Sequence, residues 1–420
     1  MLRKIIILTF CVIYSFALSA QELDSSFLKN GYFLNAQATI VNQYKPLFTA
    51  HYSGENSFLT KAENATSYTS TIYFGVKLNK TTFFYSTPEL AGGSGLSKVL
   101  GIGDAPNGET FRVTTTDPKL YIGRAYLKKV VLVSPTNHSY FTFNIGKVSL
   151  ADFYDNNKYS HDPRTQFLNW GLMSNGAWDY PANTKGYTPS LIIEYFNKNQ
   201  EYRIGYALMP TTPNGAIMDW NIKKSGGFTS EFVQNYTLSN NTGAIRFLLF
   251  MNRAFMGNYV KGLTNNIETT RSYSNTKIGW GLNIEQALGD NLGGFFKTSW
   301  NDGQNETWAF TEIDNNICFG LSANSEKWGH KSGKLGLAFI SSGLSKEHQQ
   351  FLNNGGLGFT LGDGKLNYDR ERIVELYYQK YLIDNKLACT IDYQNILNPG
   401  YNMDRKGPVN IFSLRLHFWL

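Results

Sequence analysis

The sequence predicts an all-β chain: a transmembrane antiparallel β-barrel of about 16 strands, with short turns at one end and long loops at the other. Three observations predict it. Near the C-terminus, Phe412, Leu414, Leu416, Phe418 and Leu420 alternate with Ser413, Arg415 and His417. A strand places these two sets on opposite faces. The same alternation recurs upstream with charge on the polar face, as in Lys277 and Glu285 against Ile278, Trp280, Leu282 and Ile284. A lipid-facing Lys or Arg at mid-membrane would cost about 2–4 kcal/mol, so the charged face looks into water. Beyond the first twenty residues no apolar run reaches the ~20 residues of a spanning helix, which leaves strands as the way across a bilayer.

The elements follow in chain order. Arg3 and Lys4, the apolar stretch Ile5 to Leu18 and the small residues Ser19 and Ala20 have the layout of a secretory signal peptide at 1–20, cleaved after Ser19 or Ala20. Residues 21–420 then form a single barrel domain. Alternation starts by Gly31, which leaves no room for a plug domain ahead of the barrel. Strands are expected at 30–41, 68–79, 81–89, 118–134, 138–149, 187–197, 200–210, 228–239, 242–254, 273–288, 291–301, 307–323, 333–342, 369–383, 386–396 and 408–420. Short turns at 79–80, 135–137, 197–199, 239–241, 289–291, 324–332 and 384–386 carry Asn, Asp, Gly and Pro, the residues that tight turns favour. The long connections are 42–67, 90–117, 150–186, 211–227, 255–272, 343–368 and 397–407, with a brief one at 302–306; with the N-terminus starting in the periplasm, the short turns are periplasmic and every long loop is extracellular. A soluble β-sandwich with one wet face is the competing architecture, but its strands would be shorter and its wet face less rich in glycine. The final strand, ending Phe418-Trp419-Leu420, resembles the closing strand by which outer-membrane barrels address the barrel-assembly machinery.

Composition agrees. The chain has 26 Tyr, 29 Phe and 39 Gly with 17% charged residues, and aromatic rings suit the two membrane interfaces. Trp280, Trp300 and Trp308 are expected in that girdle or on the outer rim. The net charge of +7, or +5 once Arg3 and Lys4 leave, is not gathered into a basic stripe, which argues against a nucleic-acid partner. Cys318 and Cys389 are read as buried or lipid-facing thiols, with a disulfide allowed but not required. Six histidines are present, but His-Glu-x-x-His, Gly-x-Ser-x-Gly and a phosphate loop are not. His161 beside Asp162 has no nucleophile motif, and Lys346-Glu347-His348 reads as a solvated run. A barrel hydrolase is therefore the weakest alternative, and no cofactor is called for.

Three blocks carry a resemblance. The first is Gly93-Ser94-Gly95-Leu96-Ser97 with Pro106-Asn107-Gly108-Glu109 and Pro118 to Leu127. The second is Asp152-Phe153-Tyr154-Asp155, Asp162 to Trp170, Asn175 to Pro181 and Gly186 to Pro189. The third is Asp392-Tyr393-Gln394, Asn398 to Asn402, Asp404-Arg405, Gly407 to Val409 and Leu414 to His417. In order and spacing they resemble the carbohydrate-selective porin family of bacterial outer membranes (OprB-like). The stretch 211–345 matches less well. The resemblance implies a sixteen-stranded barrel in the outer membrane of a Gram-negative bacterium, through which mono- or oligosaccharides diffuse. A non-selective porin and a surface adhesin are the neighbouring alternatives.

A selective sugar passage needs charged or amide groups for hydroxyls and flat rings for C–H faces. Its binding must be weak enough to release the solute. The expected lumen face supplies Arg124, Glu194, Arg203, Arg246, Lys277, Glu285, Lys297, Lys334, Glu375, Asp392 and Arg415. Each has a second reading as a wall charge that bonds its neighbours and never meets solute. The connection 150–186 exceeds the ~12–15 residues beyond which an unstructured loop is usually functional. Folded inward, it would form a constriction bearing Asp155, Asp162, Arg164, Trp170, Trp178 and Asp179, unless Trp170 and Trp178 simply pack it against the wall. Asp152, Asp155 and Asp162 have the oxygens for a stapling cation, although the sequence requires none. The basic excess would also attract anionic sugars. The expected partners are carbohydrate solutes and outer-membrane lipid, with a monomer and a trimer both compatible.

Overall fold

The computed structural model describes residues 31–110, 117–134, 139–324, 333–383 and 386–420. The expected signal peptide, the turn at 135–137, nearly all of that at 324–332 and the Asp384-Asn385 turn lie outside them. Sixteen strands form one closed sheet. They are β1 Tyr32–Lys45, β2 Glu63–Asn79, β3 Thr82–Gly93, β4 Lys119–Ser134, β5 Ser139–Val148, β6 Thr188–Asn197, β7 Gln200–Ala207 and β8 Gly226–Leu238. Then come β9 Asn241–Arg253, β10 Thr276–Ala287, β11 Leu292–Asn301, β12 Asn315–Asn324, β13 Gly333–Gly343, β14 Glu371–Ile383, β15 Leu387–Leu397 and β16 Val409–Trp419. Each strand pairs antiparallel with its sequence neighbours. The C-terminal strand closes the ring on β1, in register from Gln37 opposite Trp419 to Tyr44 opposite Phe412. Closure removes the unpaired edges that lipid could not solvate.

Side-chain alternation sets the two faces. Phe412, Leu414, Leu416 and Phe418 are exposed toward the membrane, while Ser413, Arg415 and His417 are buried inside. The same split separates exposed Leu191, Tyr202, Ile204 and Ile278 from buried Glu194, Arg203 and Lys277.

The interior is occupied by chain. The β5–β6 connection turns into the barrel, where Tyr154, Phe167, Trp170, Leu172, Trp178 and Tyr180 join the wall residues Leu248, Phe295, Ala338, Ile340 and Tyr377 in one apolar cluster. This connection carries the short helix α1, Trp170–Met173, whose first turn is capped by the Asn169 side chain accepting from Gly171 N. Glycines on the inner wall make the close fit feasible. A Cβ on Gly205 would stand 2.5 Å from the Tyr154 hydroxyl, and one on Gly281 would stand 2.6 Å from the Asn175 amide nitrogen. The glycine richness of the wet face is thus clearance for the loop.

Three expectations need correction. Residues 307–314 do not extend β12; they leave the sheet and run inward, because the Trp308 and Ala309 amides bond the Asp179 carboxylate instead of a neighbouring strand. Trp308 is therefore not a girdle or rim residue. It is fully buried, and its indole N–H donates to Pro210 O at 2.6 Å. The run Lys346-Glu347-His348 is not a solvated loop. It begins helix α3 (Lys346–Asn353), which follows α2 (Tyr259–Gly262) in the chain, and His348 is fully buried. Cys318 points inward, its thiol toward Gly171 O at 3.5 Å, while Cys389 is half-buried; both are free thiols.

Candidate functional site

The inward loop's backbone amides and carbonyls are cut off from water and need partners. The charged wall residues supply them. Glu231 on β8 accepts from Asp155 N at 2.7 Å and Glu285 on β10 from Lys158 N at 2.6 Å. Glu375 on β14 accepts from Leu168 N at 2.5 Å and Asn169 N at 3.0 Å. The cations bind carbonyls. Lys297 on β11 donates to Ser160 O at 2.8 Å and Leu172 O at 3.2 Å, and Arg415 on β16 donates to Pro163 O and to Gln166 O. Lys277 on β10 pairs with Asp179 at 3.3 Å. A buried charge is tolerable only when paired or hydrogen-bonded, and here the loop and the wall each satisfy the other.

Asp155 sits at the hub of this arrangement with a left-handed φ of 57°, unusual outside glycine. Its carboxylate accepts from the Asn175 backbone and side-chain amides and from the Asn283 amide. Trp170 and Trp178 are not bare platforms: Trp170 lies 4.7 Å from Phe310 and Trp178 4.8 Å from Tyr180, centroid to centroid. Arg203 lies among Glu194, Glu201 and Glu231. Arg246 pairs with Glu285 at 3.1 Å, and Asp392 lies beside Glu375. Lys334 is half-buried.

A different set joins the buried Arg124, Arg164, Glu89 and Glu109 to the half-buried Tyr73, Tyr121, Asp152 and Asp162. Arg124 on β4 grips Asp152 through two bonds of 2.5 and 2.6 Å and reaches Glu89 at 3.5 Å. The Asp152 side chain is 30% exposed. Tyr121 and Tyr187 both donate to Glu89. On the loop, Arg164 pairs with Glu109 at 3.0 Å and reaches the Tyr73 hydroxyl at 3.4 Å. That hydroxyl also accepts from Gln37 at 2.6 Å. Half-buried Tyr73 lies within electrostatic reach of Arg124, Arg164, Glu89 and Asp162. Burial would raise the Asp162 carboxyl, but Arg164, His417 and the Thr165 hydroxyl outweigh it and hold it below its ordinary value. Two guanidiniums, four carboxylates and three phenols thus meet on the side of the barrel formed by β2–β4 and the ends of the inward chain.

The sequence reading missed Tyr73, Glu89, Glu109 and Glu231. Glu89 and Glu231 were reachable, since each has the inward parity of its strand. Glu109 lies in a connection with no periodicity to reveal it.

A closed sixteen-stranded barrel with a loop held across its lumen defines a porin of the outer membrane. Residues 64–420 match the family described as carbohydrate-selective porin, OprB family, and the chain belongs to that family. Its fold is similar to that of Pseudomonas putida OprB at high pH, with a TM-score of 0.74 and 13% identity over 94% of this chain and 96% of that one. It is also similar to the outer-membrane channel DcaP of Acinetobacter baumannii, with a TM-score of 0.53 and 11% identity over 93% and 97% of the two chains. No curated protein matches the chain in sequence. The protein is an outer-membrane carbohydrate porin, and family and fold are those of a channel.

Proposed function

We propose that sugars pass between the inward loop and the β2–β4 wall, and that Arg124, Arg164, Glu89, Glu109, Asp152, Asp162, Tyr73 and Tyr121 are the groups they meet. The observation that carries this reading is half-buried Tyr73, whose hydroxyl lies 3.4 Å from the Arg164 guanidinium and within electrostatic reach of Arg124. Hydroxyls of a neutral sugar can exchange with these side chains, donating to carboxylates and accepting from guanidinium N–H. Because each guanidinium is already paired, a passing sugar replaces hydrogen bonds instead of adding them, which favours weak binding and release. Among the sequence candidates, Arg124, Arg164 and Asp162 belong to this passage. Asp155, Asp179, Glu285, Glu375 and Arg415 serve to hold the loop, Trp170 and Trp178 to pack it, and Glu194, Arg203, Arg246 and Asp392 to carry the wall charge around it. The same reading keeps residues 1–20 as a cleaved signal peptide and the last strand as the segment recognised during assembly.

The test is single-channel conductance in a planar bilayer, titrated with glucose, maltose, xylose and an uncharged non-sugar of similar size. Saturable block by some sugars and none by the control is expected. Conductance indifferent to every sugar would reduce the passage to a general pore.

A further inference from the structure

On the outside of the barrel, Phe228, Leu249, Met251, Ile278 and Trp280 wall an apolar groove of about 310 Å³ that reaches Trp300 and includes the small residue Ser230. Register fixes its position. Phe228 faces Met251 across β8–β9, and Met251 faces Ile278 across β9–β10. One step toward the long loops, Arg253 stands opposite Gly226 and Thr276. Arg253 shares the parity of Leu249 and Met251, so it projects on the same membrane face, about 7 Å beyond Met251. Its guanidinium donates to Lys223 O, which brings the β7–β8 connection to the rim. There Lys223 and Lys224 are exposed, and Lys224 lies 5.9 Å from the Tyr273 ring. Asp219, the acid of that connection, is buried and engaged by the Tyr273 hydroxyl at 2.9 Å. Among the described residues no ion pair engages Arg253, Lys223 or Lys224.

We infer that this face is a binding site for an outer-leaflet lipid with a phosphorylated headgroup, one acyl chain lying in the groove and a phosphate at Arg253, Lys223 and Lys224. Both halves of the site are needed for the assignment. A groove opening into hydrocarbon is filled by a flexible chain, because an empty one forfeits dispersion contacts. Three cations at the headgroup level select an anion, and a guanidinium matches phosphate in geometry as well as charge. A neutral lipid would fill the groove but leave the cations unused.

The full-length protein, purified and placed in phosphatidylcholine nanodiscs containing diphosphorylated lipid A, is released into detergent and weighed by native mass spectrometry. Dephosphorylated lipid A serves as the paired probe. One diphosphorylated lipid should stay bound per barrel, with the dephosphorylated form retained at least tenfold less. The triple variant Arg253→Gln, Lys223→Gln, Lys224→Gln should lose that preference. Ser230→Phe, which fills the groove and leaves the charges alone, should lower retention of both probes. Heat-resistant migration of the folded barrel and unchanged sugar block qualify each variant, so either one alone still reads the site. Equal retention of the two probes, or undiminished retention in both qualified variants, would overturn the proposal. So would a self-association that excludes lipid and is abolished by Ser230→Phe, which would assign the groove to a second copy of the chain.

Discussion

Arg124 and Asp152 meet side on, Nε to Oδ2 at 2.5 Å and Nη2 to Oδ1 at 2.6 Å, joining a wall strand to the start of the inward loop. The guanidinium side chain is 10% exposed and the carboxylate 30%, so the pair is held firmly on one side and wetted on the other. Arg124→Lys keeps the charge but loses the fork that binds a carboxylate through two parallel bonds. One lost charge-assisted hydrogen bond is worth about 1.5–3 kcal/mol. Sugar block should therefore weaken about tenfold or more, with the open-channel current little changed. The check is the concentration of sugar that halves the current.

Glu375→Gln should act on the loop instead of the sugar. The carboxyl offers two oxygens, one to Leu168 N and one to Asn169 N, whereas the amide has a single acceptor oxygen and leaves one of the two N–H groups without its partner. A poorly satisfied buried amide costs about 1–3 kcal/mol, enough to let the segment detach part of the time. Single-channel records should show larger and noisier conductance with weaker discrimination among sugars, while the barrel still folds. A quiet, unaltered current would show that Glu375 does not hold the loop.

Gly205→Val tests clearance without touching charge. Its new Cβ would meet the Tyr154 hydroxyl at 2.5 Å, closer than side chains approach. The loop should shift, and protease access to residues 150–186 from the outside should increase relative to the parent.

The outer loops carry their own pH dependence. His348 Nδ1 lies 2.9 Å from Asp314 Oδ2, its Nε2 lies 3.5 Å from Glu312, and its ring stacks on Tyr259 at 4.2 Å. Burial works against the imidazolium, but Asp314 and Glu312 outweigh it and push its pKa up to about 9. Asp314 is held below its ordinary value despite burial, chiefly by His348. A raised histidine stabilises fully below its unfolded pKa and stops doing so as pH rises through the folded one. A lowered carboxyl stabilises above its unfolded pKa and fails as pH falls through the folded one. The junction of α2, α3 and the 302–314 segment should thus be firm from mildly acidic pH upward and loosen as pH rises through about 9. Amide exchange of α3 against pH measures this, and His348→Gln should remove the alkaline step.

The alternation of apolar and polar residues determined the barrel, its strand number and its two faces. That code is local, because a strand's neighbours in sequence decide which way each side chain points and lipid rejects a charge on the wrong face. It correctly turned Arg203, Lys277, Glu375 and Arg415 inward. It did not say what those charges would meet. Only tertiary structure decided that Glu375 holds the backbone at Leu168 and Asn169, a separation of more than two hundred residues. It also decided that Trp308 leaves the sheet to pack beneath Pro210 and that Glu109 arrives opposite Arg164. Such contacts arise between aperiodic connections closed across a ring of strands. No spacing in the sequence records them, because burial and hydrogen-bond satisfaction are settled only once the barrel has closed.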